Sequence, residues 1–135
     1  MVQRGTVLPG GFVVTNEDAY YSYLNTLKPH LKHKILLYLL YRKKVVNFKY
    51  VTNVEIGEKF DVHPNNAHKV LMKLVRRDQI RFKKFGRMYG FYIISQGERY
   101  ANFIIDNPKE YNIQKESVLN NIITEIIMHN IPYKG

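Results

Sequence analysis

Six side chains that could contact nucleic-acid bases lie between residues 65 and 73 of the sequence. Asparagine can form two hydrogen bonds with adenine, lysine donates to the acceptors of guanine, and methionine can touch the methyl group of thymine. At helical spacing these side chains lie opposite or beside an apolar stripe, which favours a helix that packs inward and contacts nucleic acid outward. The alternative is an ordinary solvated helix face, which an exposed methionine fits poorly. The predicted base contacts are Asn65, Asn66, His68, Lys69, Met72 and Lys73.

Two short helices joined by a tight turn are expected to position these side chains. The first spans about Val54–Phe60, and the turn is the sequence Asp61-Val62-His63. Aspartate tolerates the left-handed backbone that such a turn needs, and Pro64 suits the first position of a helix, where its missing N–H is no loss. The second helix runs over about Pro64–Asp78. Its apolar stripe consists of Ala67, Val70, Leu71, Leu74 and Val75.

A hairpin with a basic tip is predicted directly after these helices. Ile80–Phe85 alternates apolar and basic residues, Gly86–Gly90 is a turn with glycine at both ends, and Phe91–Ile94 is the return strand. Cations at such a tip can contact phosphates, and an arginine can enter the minor groove. The alternative is a charged tip that only keeps the hairpin soluble. The predicted backbone contacts are Lys49, Arg76, Lys83, Lys84 and Arg87, with Arg42–Lys44 as weaker candidates.

The stretch Ile56-Gly57-Glu58-Lys59-Phe60-Asp61-Val62-His63 resembles the helix-turn-helix of prokaryotic, archaeal-type winged-helix transcriptional regulators. In that family an apolar, a small, two polar and an apolar residue precede a turn that ends in an apolar residue. The sequence departs from the pattern at Asp61, where glycine is usual, and at His63-Pro64, where a serine or threonine cap is common. The resemblance covers about residues 28–106. It implies an α+β, mostly α, winged helix-turn-helix that binds DNA.

Positive charge is concentrated in the segment that carries these motifs. Residues 28–92 contain 16 Lys and Arg against 4 Asp and Glu, a net charge of +12, whereas the rest of the chain has 5 against 7. A polyanion partner is the simplest reason for such a segregation. A generally basic soluble surface is the alternative, but it does not explain why the flanks are slightly acidic.

The sequence before the helix-turn-helix predicts an arm and helix (1–27), a buried helix and a strand. The helix over about Pro29–Lys43 is apolar nearly all round, so flanking helices must cover it. Val45–Val51 is rich in β-branched and aromatic residues and is predicted to be a strand. An N-terminal helix over Glu17–Leu27 follows an irregular arm. The DNA-binding core is then expected over 28–95.

Two helices are predicted after the hairpin, in a C-terminal unit over 96–135. Ser95 and Glu98 form the S-x-x-E pattern of a capping box at the start of a helix over Gln96–Asp106. The last helix, about Ile113–His129, has an aliphatic stripe that is improbable in water. The stripe can pack on the same chain or on a second copy, and we predict a homodimer. Its interface residues are Leu119, Ile122, Ile123 and Ile126.

Other classes of function have little support in the sequence. The chain has no cysteine, which excludes disulfides and cysteine-based zinc sites and is compatible with the cytoplasm. His30 and His33 lie three apart, but no carboxylate accompanies them as a metal site would require. No catalytic motif and no apolar run of membrane-spanning length is present. The sequence therefore predicts no enzyme, no metal, no cofactor and no membrane partner.

The predicted function is sequence-directed binding of double-stranded DNA by a cytoplasmic transcriptional regulator of prokaryotic or viral type. Helix 64–78 is expected in the major groove, and the tip 83–90 on the backbone or in the minor groove. The alternative is a winged-helix interaction module inside a larger assembly, because a fold does not fix a function. Binding to RNA or to a single strand is a third possibility, since it uses exposed aromatic side chains on a sheet.

Overall fold

The computed structural model of the chain describes residues 28–113 and 116–130, and the backbone of two short strands near the N-terminus. These strands, β1 (Val7–Leu8) and β2 (Phe12–Val13), pair antiparallel where the sequence predicts an irregular arm. The helix predicted over Glu17–Leu27 lies outside the described residues. The other elements are, in chain order, α1 (Leu31–Tyr41), α2 (Asn53–Phe60), α3 (Pro64–Arg76), β3 (Ile80–Phe85), β4 (Met88–Ile93), α4 (Ser95–Asp106) and α5 (Ser117–Asn130).

Helix α1 lies at the centre of the fold and is buried along most of its length. The consecutive residues from Ile35 to Leu40 are each at most 8% exposed. Because such a run passes through more than one helical turn, other elements must surround the helix. Helices α4 and α5 pack against it, and so do α3 and β4. The prediction that flanking helices cover this apolar segment is confirmed.

The segment after α1 does not form the strand predicted over Val45–Val51. The chain continues instead as a π-helical turn, Arg42–Val46, and leaves it at Asn47 with a left-handed φ of 62°. Val51 alone joins the sheet, as an isolated bridge to Phe91. The two residues exchange backbone hydrogen bonds of 2.9 and 2.8 Å. The strand that the β-branched composition predicts is therefore reduced to one paired residue, Val51.

Arg42 holds this segment in place. Its guanidinium forms an ion pair with Glu55 of α2 and donates a hydrogen bond to Tyr38 Oη at 3.2 Å. Its Nε donates to the carbonyl oxygen of Phe48 at 3.3 Å, and a further N–H donates to that of Tyr50 at 3.4 Å. The Arg42 side chain thus ties this loop to α1 and α2 and satisfies two of its backbone carbonyls.

The turn between α2 and α3 follows the predicted geometry. The hydroxyl of Thr52 caps α2 by accepting a hydrogen bond from Glu55 N–H at 3.2 Å. Asp61 ends the helix with a left-handed φ of 54°. Gly57 is needed where it stands, because a Cβ there would lie 2.6 Å from the carbonyl oxygen of Val62.

The start of α3 is also as predicted, whereas its end is earlier. Pro64 occupies the first turn. The helix ends at Arg76, not at Asp78, which has a left-handed φ of 56°. A left-handed residue cannot continue a right-handed helix, so it redirects the chain into β3.

The capping box predicted at the start of α4 is not formed. Ile94 occupies the cap position, and Ser95 is the first residue of the helix. The carboxylate of Glu98 forms ion pairs with Lys43 at 2.8 Å and with Lys44 at 3.3 Å, at the end of α1. Two cations from a neighbouring element thus engage the side chain that a capping box would turn back on its own helix.

The aliphatic stripe of α5 packs within the same chain. Leu119, Ile122 and Ile126 are buried, and α5 contacts α1 and the π-helical turn that follows it. An ion pair of 2.7 Å between Lys34 of α1 and Glu116 lies just before α5. These three side chains, predicted as dimer contacts, are therefore occupied by their own chain, because α1 offers a large apolar surface that needs the same cover.

His33 is a polar side chain buried in the core, 5% exposed. Its Nε2 lies 3.2 Å from Tyr100 Oη, and its ring packs edge-on to Tyr111 with centroids 4.7 Å apart. Its Nδ1 is buried without a hydrogen-bond partner among the described residues. Burial, followed by the charges of Lys32 and His30, lowers the pKa of His33 to about 4.

Acidification from about pH 7.5 to about pH 5 should lower the free energy of unfolding by about 2 kcal/mol through His33. The unfolded histidine takes up a proton below its ordinary pKa of 6.5, whereas the folded one stays neutral down to about 4. Its contribution to stability is therefore complete above pH 6.5 and is lost as the pH falls toward 4. Urea unfolding at both pH values, for the natural chain and His33→Gln, measures the difference. Equal pH dependence in the two proteins would contradict this account.

Candidate nucleic-acid interface

The outward face of α3 presents polar and basic side chains to solvent. Ala67, Leu71 and Leu74 are buried and fix the rotation of the helix about its axis. The opposite face is left exposed as a continuous polar surface. The exposed side chains of that face that the sequence predicts as contacts are Asn65, Asn66, Lys69, Lys73 and Arg76.

Two hydrogen bonds hold the N-terminal end of α3 in place. The side-chain amide of Asn53 donates to the carbonyl oxygen of Pro64 at 3.2 Å, which ties α2 to α3. His63 caps α3, because its Nδ1 accepts from the N–H of Asn65 at 3.1 Å. The histidine therefore takes the role of the usual serine or threonine cap. The backbone that carries the exposed Asn65 and Asn66 is therefore held in place.

Two of the predicted base contacts are less accessible than the sequence indicates. Met72 is half-buried and packs against the core, so its description as an exposed methionine is wrong. His68 is half-buried as well, with its ring 5.8 Å from that of Tyr89 and 6.0 Å from that of Phe91. His68 lies toward the hairpin, whose position relative to α3 the sequence does not give. His68 therefore packs the hairpin against α3.

The hairpin is longer and its turn tighter than predicted. Strands β3 and β4 pair from Ile80 with Ile93 to Phe85 with Met88, so only Gly86 and Arg87 remain as the turn. Gly86 has a φ of +64°, which glycine adopts freely and which suits the first position of a two-residue hairpin turn. The five-residue turn predicted over Gly86–Gly90 is therefore wrong, because its last three residues belong to β4.

The fold is identified by the basic hairpin that follows the helix-turn-helix. A third strand of its sheet is reduced to the single residue Val51. The chain is a winged helix-turn-helix. In this winged helix α3 occupies the position of the recognition helix, and the β3–β4 hairpin is the wing. Helices α4 and α5 are additions that cover α1.

The wing cations are exposed and lie close to aromatic rings. Lys83 Nζ lies 5.5 Å from the ring centroid of Phe85, and Lys84 Nζ lies 5.2 Å from that of Tyr89. Arg87 is one of the two turn residues at the tip. At the base of the wing Lys49 Nζ lies 4.5 Å from the ring centroid of Tyr92. Contact with a ring restricts a lysine side chain without neutralising its charge.

The cations at the end of α1 have carboxylate partners. Arg42 pairs with Glu55, and Lys43 and Lys44 pair with Glu98. Burial opposes the charge of Arg42, but its hydrogen bonds to Tyr38 and Glu55 outweigh this and raise its pKa. Burial likewise favours protonation of Glu98, but the two lysines outweigh it and lower its pKa. These cations, weaker phosphate candidates in the sequence, stabilise the fold.

Cations of α3 and of the wing form no ion pair within the described part of the chain. They point to solvent from two adjacent elements, and no described carboxylate neutralises them. Their charge is therefore available to an external anion. The set comprises Lys69, Lys73, Arg76, Arg77, Arg81, Lys83, Lys84 and Arg87.

A basic cleft between α1 and α3 extends this surface and was not predicted. It has a volume of about 320 Å³, and its cations are Lys32, Lys73 and Arg77. Lys73 and Arg77 lie four apart on one helix, which is a signal that the sequence does contain. Lys32 comes from α1, so its place beside them depends on how the two helices pack.

No group of three or more His, Cys, Asp or Glu within 28–113 and 116–130 is arranged to hold a metal ion. Over the same ranges no helix has the length and apolar character to cross a membrane.

Comparison with solved structures supports the winged-helix assignment. A mutant of ZitR from Lactococcus lactis matches with a TM-score of 0.50 and 16% identity, over 77% of this chain and 74% of the other. The adhesin competence repressor AdcR from Streptococcus pyogenes matches with a TM-score of 0.50 and 18% identity, over 81% and 83%. At these identities the likeness concerns the fold. No family model and no curated protein matches the chain. Both structures are bacterial, so they give no support to an archaeal-type refinement of the resemblance.

Proposed function

We propose that this winged helix binds double-stranded DNA in a sequence-directed way and acts as a cytoplasmic transcriptional regulator. Helix α3 enters the major groove, and the wing contacts the adjacent backbone or minor groove. An α-helix with its side chains is about 10–12 Å wide, which fits a major groove of about 12 Å. The resemblance to a protein named as a repressor supports a regulatory role.

The observation that carries this proposal is the concentration of unpaired cations on α3 and the wing. Lys34, Lys43 and Lys44, which lie near α4 and α5, are paired with carboxylates, whereas the eight cations of the α3 and wing set point outward without a described ion pair. A surface that served only solubility would have no reason to gather so many unpaired cations on two adjacent elements. A duplex offers phosphates on both sides of the groove that α3 would enter.

Asn65, Asn66 and Lys69 are the strongest candidates for base contacts. They are exposed, and they lie in the first half of a helix whose N-terminal end is fixed. The N-terminal residues of a recognition helix are those that reach base edges. Lys73 and Arg76, further along the same face, are better placed for phosphates. We assign His68 and Met72 a supporting role.

Substitutions on the wing and on α3 should have different effects. Arg87→Ala and Lys84→Ala should weaken binding to all duplexes alike, because phosphate contacts carry no sequence information. Asn66→Ala and Lys69→Ala should relax base preference at particular positions, at about 1–3 kcal/mol for each lost bidentate contact. Selection of bound duplexes from a random pool, followed by titration of selected and scrambled sites, measures both effects.

All four side chains are exposed, so the variants should remain folded, and thermal unfolding checks this. Asn102→Ala on α4, which is exposed and away from the interface, is the matched control. If the α3 and wing variants reduced specific and scrambled binding equally, α3 would not contact base edges.

We also propose that the protein is a homodimer. Its contacts differ from the predicted ones, because most of the aliphatic stripe of α5 is buried within its own chain. Of the four predicted residues, Ile123 is only half-buried, and the neighbouring Ile127 and Met128 are exposed. These apolar side chains of α5 could meet the same helix of a second copy. Two copies would place two recognition helices about one DNA turn apart, ~34 Å, as palindromic sites require.

The intact chain should therefore be dimeric at tens of micromolar in light scattering. The double variant Ile127→Glu, Met128→Glu should be monomeric and still folded, because both side chains are exposed. Val118→Glu, on an exposed position at the opposite side of α5, should leave the dimer intact. A monomeric natural chain would contradict the proposal, and so would a double variant that stays dimeric.

A further inference from the structure

The outer face of the wing has an aromatic cluster that duplex binding by α3 does not use. Side chains alternate between the two faces of the hairpin, and those that face α3 include Phe82 and Phe91. On the other face the ring of Tyr50 packs edge-on to that of Phe85, with centroids 5.0 Å apart, and to that of Tyr92, with centroids 5.5 Å apart. Tyr50 and Phe85 can meet there because Gly90 has no side chain, and a Cβ would lie 2.8 Å from the ring of Phe85.

This cluster is unusually open to solvent for its aromatic content. Phe85 is 47% exposed and Phe48, which continues the cluster beyond Tyr50, is 58% exposed. Met88, paired with Phe85 across the turn, is 55% exposed. Burying such side chains is favourable, so their exposure together on one face indicates a binding surface.

Lysines lie among the rings. Lys49 Nζ is 4.5 Å from the ring centroid of Tyr92 and 5.3 Å from that of Tyr50. Lys83 Nζ is 5.5 Å from that of Phe85. The loop that carries Phe48 and Lys49 also lines a basic cleft of about 440 Å³, to which Lys43 and Lys44 contribute two further cations. The carboxylate of Glu98 is already held by these two lysines, which leaves the surface positive overall.

We propose that this outer face, consisting of Phe48, Lys49, Tyr50, Lys83, Phe85, Met88 and Tyr92, binds single-stranded DNA. Exposed rings stack on unpaired bases, and interleaved cations follow the phosphates, which is how sheet surfaces bind single strands without a strict sequence preference. A duplex could not use the rings, because its bases are already stacked on one another. A protein partner would leave the lysines unpaired unless it were acidic, whereas a single strand satisfies rings and lysines together.

The site is distinct from the recognition helix. Its side chains lie on the face of the hairpin opposite to that of Phe82 and Phe91, and His68 of α3 packs on the latter face. Lys49 and Lys83, predicted as duplex backbone contacts, are the cations that both proposals share, whereas the rings of the outer face and the side chains of α3 are not shared. Success or failure of this proposal is independent of duplex binding, because different variants test each.

The test is fluorescence anisotropy of a labelled oligothymidylate of about 15 nucleotides, a length within the range that such sites occupy. The intact chain should bind it, and Phe48→Ala or Phe85→Ala should weaken binding roughly 5- to 150-fold for each ring removed. Phe85→Leu keeps an apolar side chain but removes the ring, so it should behave like the alanine variant. Phe103→Ala on α4, where the phenylalanine is 50% exposed, is the matched control and should bind normally.

Asn66→Ala and Lys69→Ala should leave oligothymidylate binding unchanged, since they lie on α3. No binding by the intact chain would overturn the proposal, and so would full binding by the Phe48→Ala, Phe85→Ala double variant. Tighter binding of oligouridylate than of oligothymidylate would overturn the assignment to DNA. A dimer that dissociates in the double variant would show instead that a second copy covers this face.

Discussion

Binding of the intact protein to random-sequence duplex DNA should weaken about 1,000- to 10,000-fold when salt rises from about 50 to about 200 mM. Roughly 6–8 phosphate contacts give a slope of about −5 to −7 in a plot of log affinity against log salt. The exposed cations of α3 and the wing, with the cleft residues Lys32 and Arg77, supply that number of contacts. Gel shifts or anisotropy across the salt range measure the slope.

Variants can show which cations produce the slope. Lys84→Gln with Arg87→Gln should make it shallower by about two, because each lost phosphate contact removes about one. Lys43→Gln is the matched control, since Lys43 is engaged by Glu98 and should contribute little. A slope near zero for the natural chain would remove the electrostatic basis of duplex binding. It would favour the alternative of an interaction module inside a larger assembly.

Gly97→Ala should destabilise the fold by more than about 3 kcal/mol, beyond the usual cost of an overpacked core. Gly97 is buried at the start of α4, where an added Cβ would overlap the carbonyl oxygen of Gln79 and lie 2.8 Å from Ile93 Cγ1. The Gln79 carbonyl is backbone that accepts a hydrogen bond from Ile94 N–H at 3.2 Å. It cannot move without displacing the start of β3 from the end of β4.

Urea unfolding of Gly97→Ala against the natural chain measures this loss. Gln96→Ala, one residue earlier and exposed, places alanine at the start of the same helix without the overlap and should be close to neutral. If Gly97→Ala unfolded at the same urea concentration as Gln96→Ala, α4 would not pack on this junction as closely as the structure shows.

The elements that the sequence predicts best are those specified by neighbouring residues. Pro64 suits the first turn of a helix through its own fixed φ and missing N–H, and Asp61 accepts a left-handed backbone without help from distant contacts. The periodicity of Ala67, Leu71 and Leu74 likewise identifies the buried face of α3 directly. The helix-turn-helix and the exposed residues of its second helix, apart from the half-buried His68 and Met72, could therefore be predicted from the sequence.

The predictions that failed depend on residues far apart in the chain. Glu98 has the spacing of a capping box, but Lys43 and Lys44, more than fifty residues earlier, engage it. Val45–Val51 has the composition of a strand, but Val45 and Val46 continue the helical turn after α1, and the Arg42 side chain holds the carbonyls of Phe48 and Tyr50. Periodicity shows that the α5 stripe must be covered and does not show by what. Only the packing of α1 supplies that answer.

The contacts of His68 with Tyr89 and Phe91 have a mechanical consequence. They join α3 to the wing, so we expect the two elements to keep a constant separation. In the proposed duplex complex, a clamp of fixed width on two neighbouring grooves could not adapt to each duplex, so the duplex would have to adapt to the clamp. The elastic energy of that adjustment depends on the base steps between the two contacts, which no side chain touches. Flexible steps such as TA would then be favoured there, and the stiffness of the DNA would become part of the selectivity.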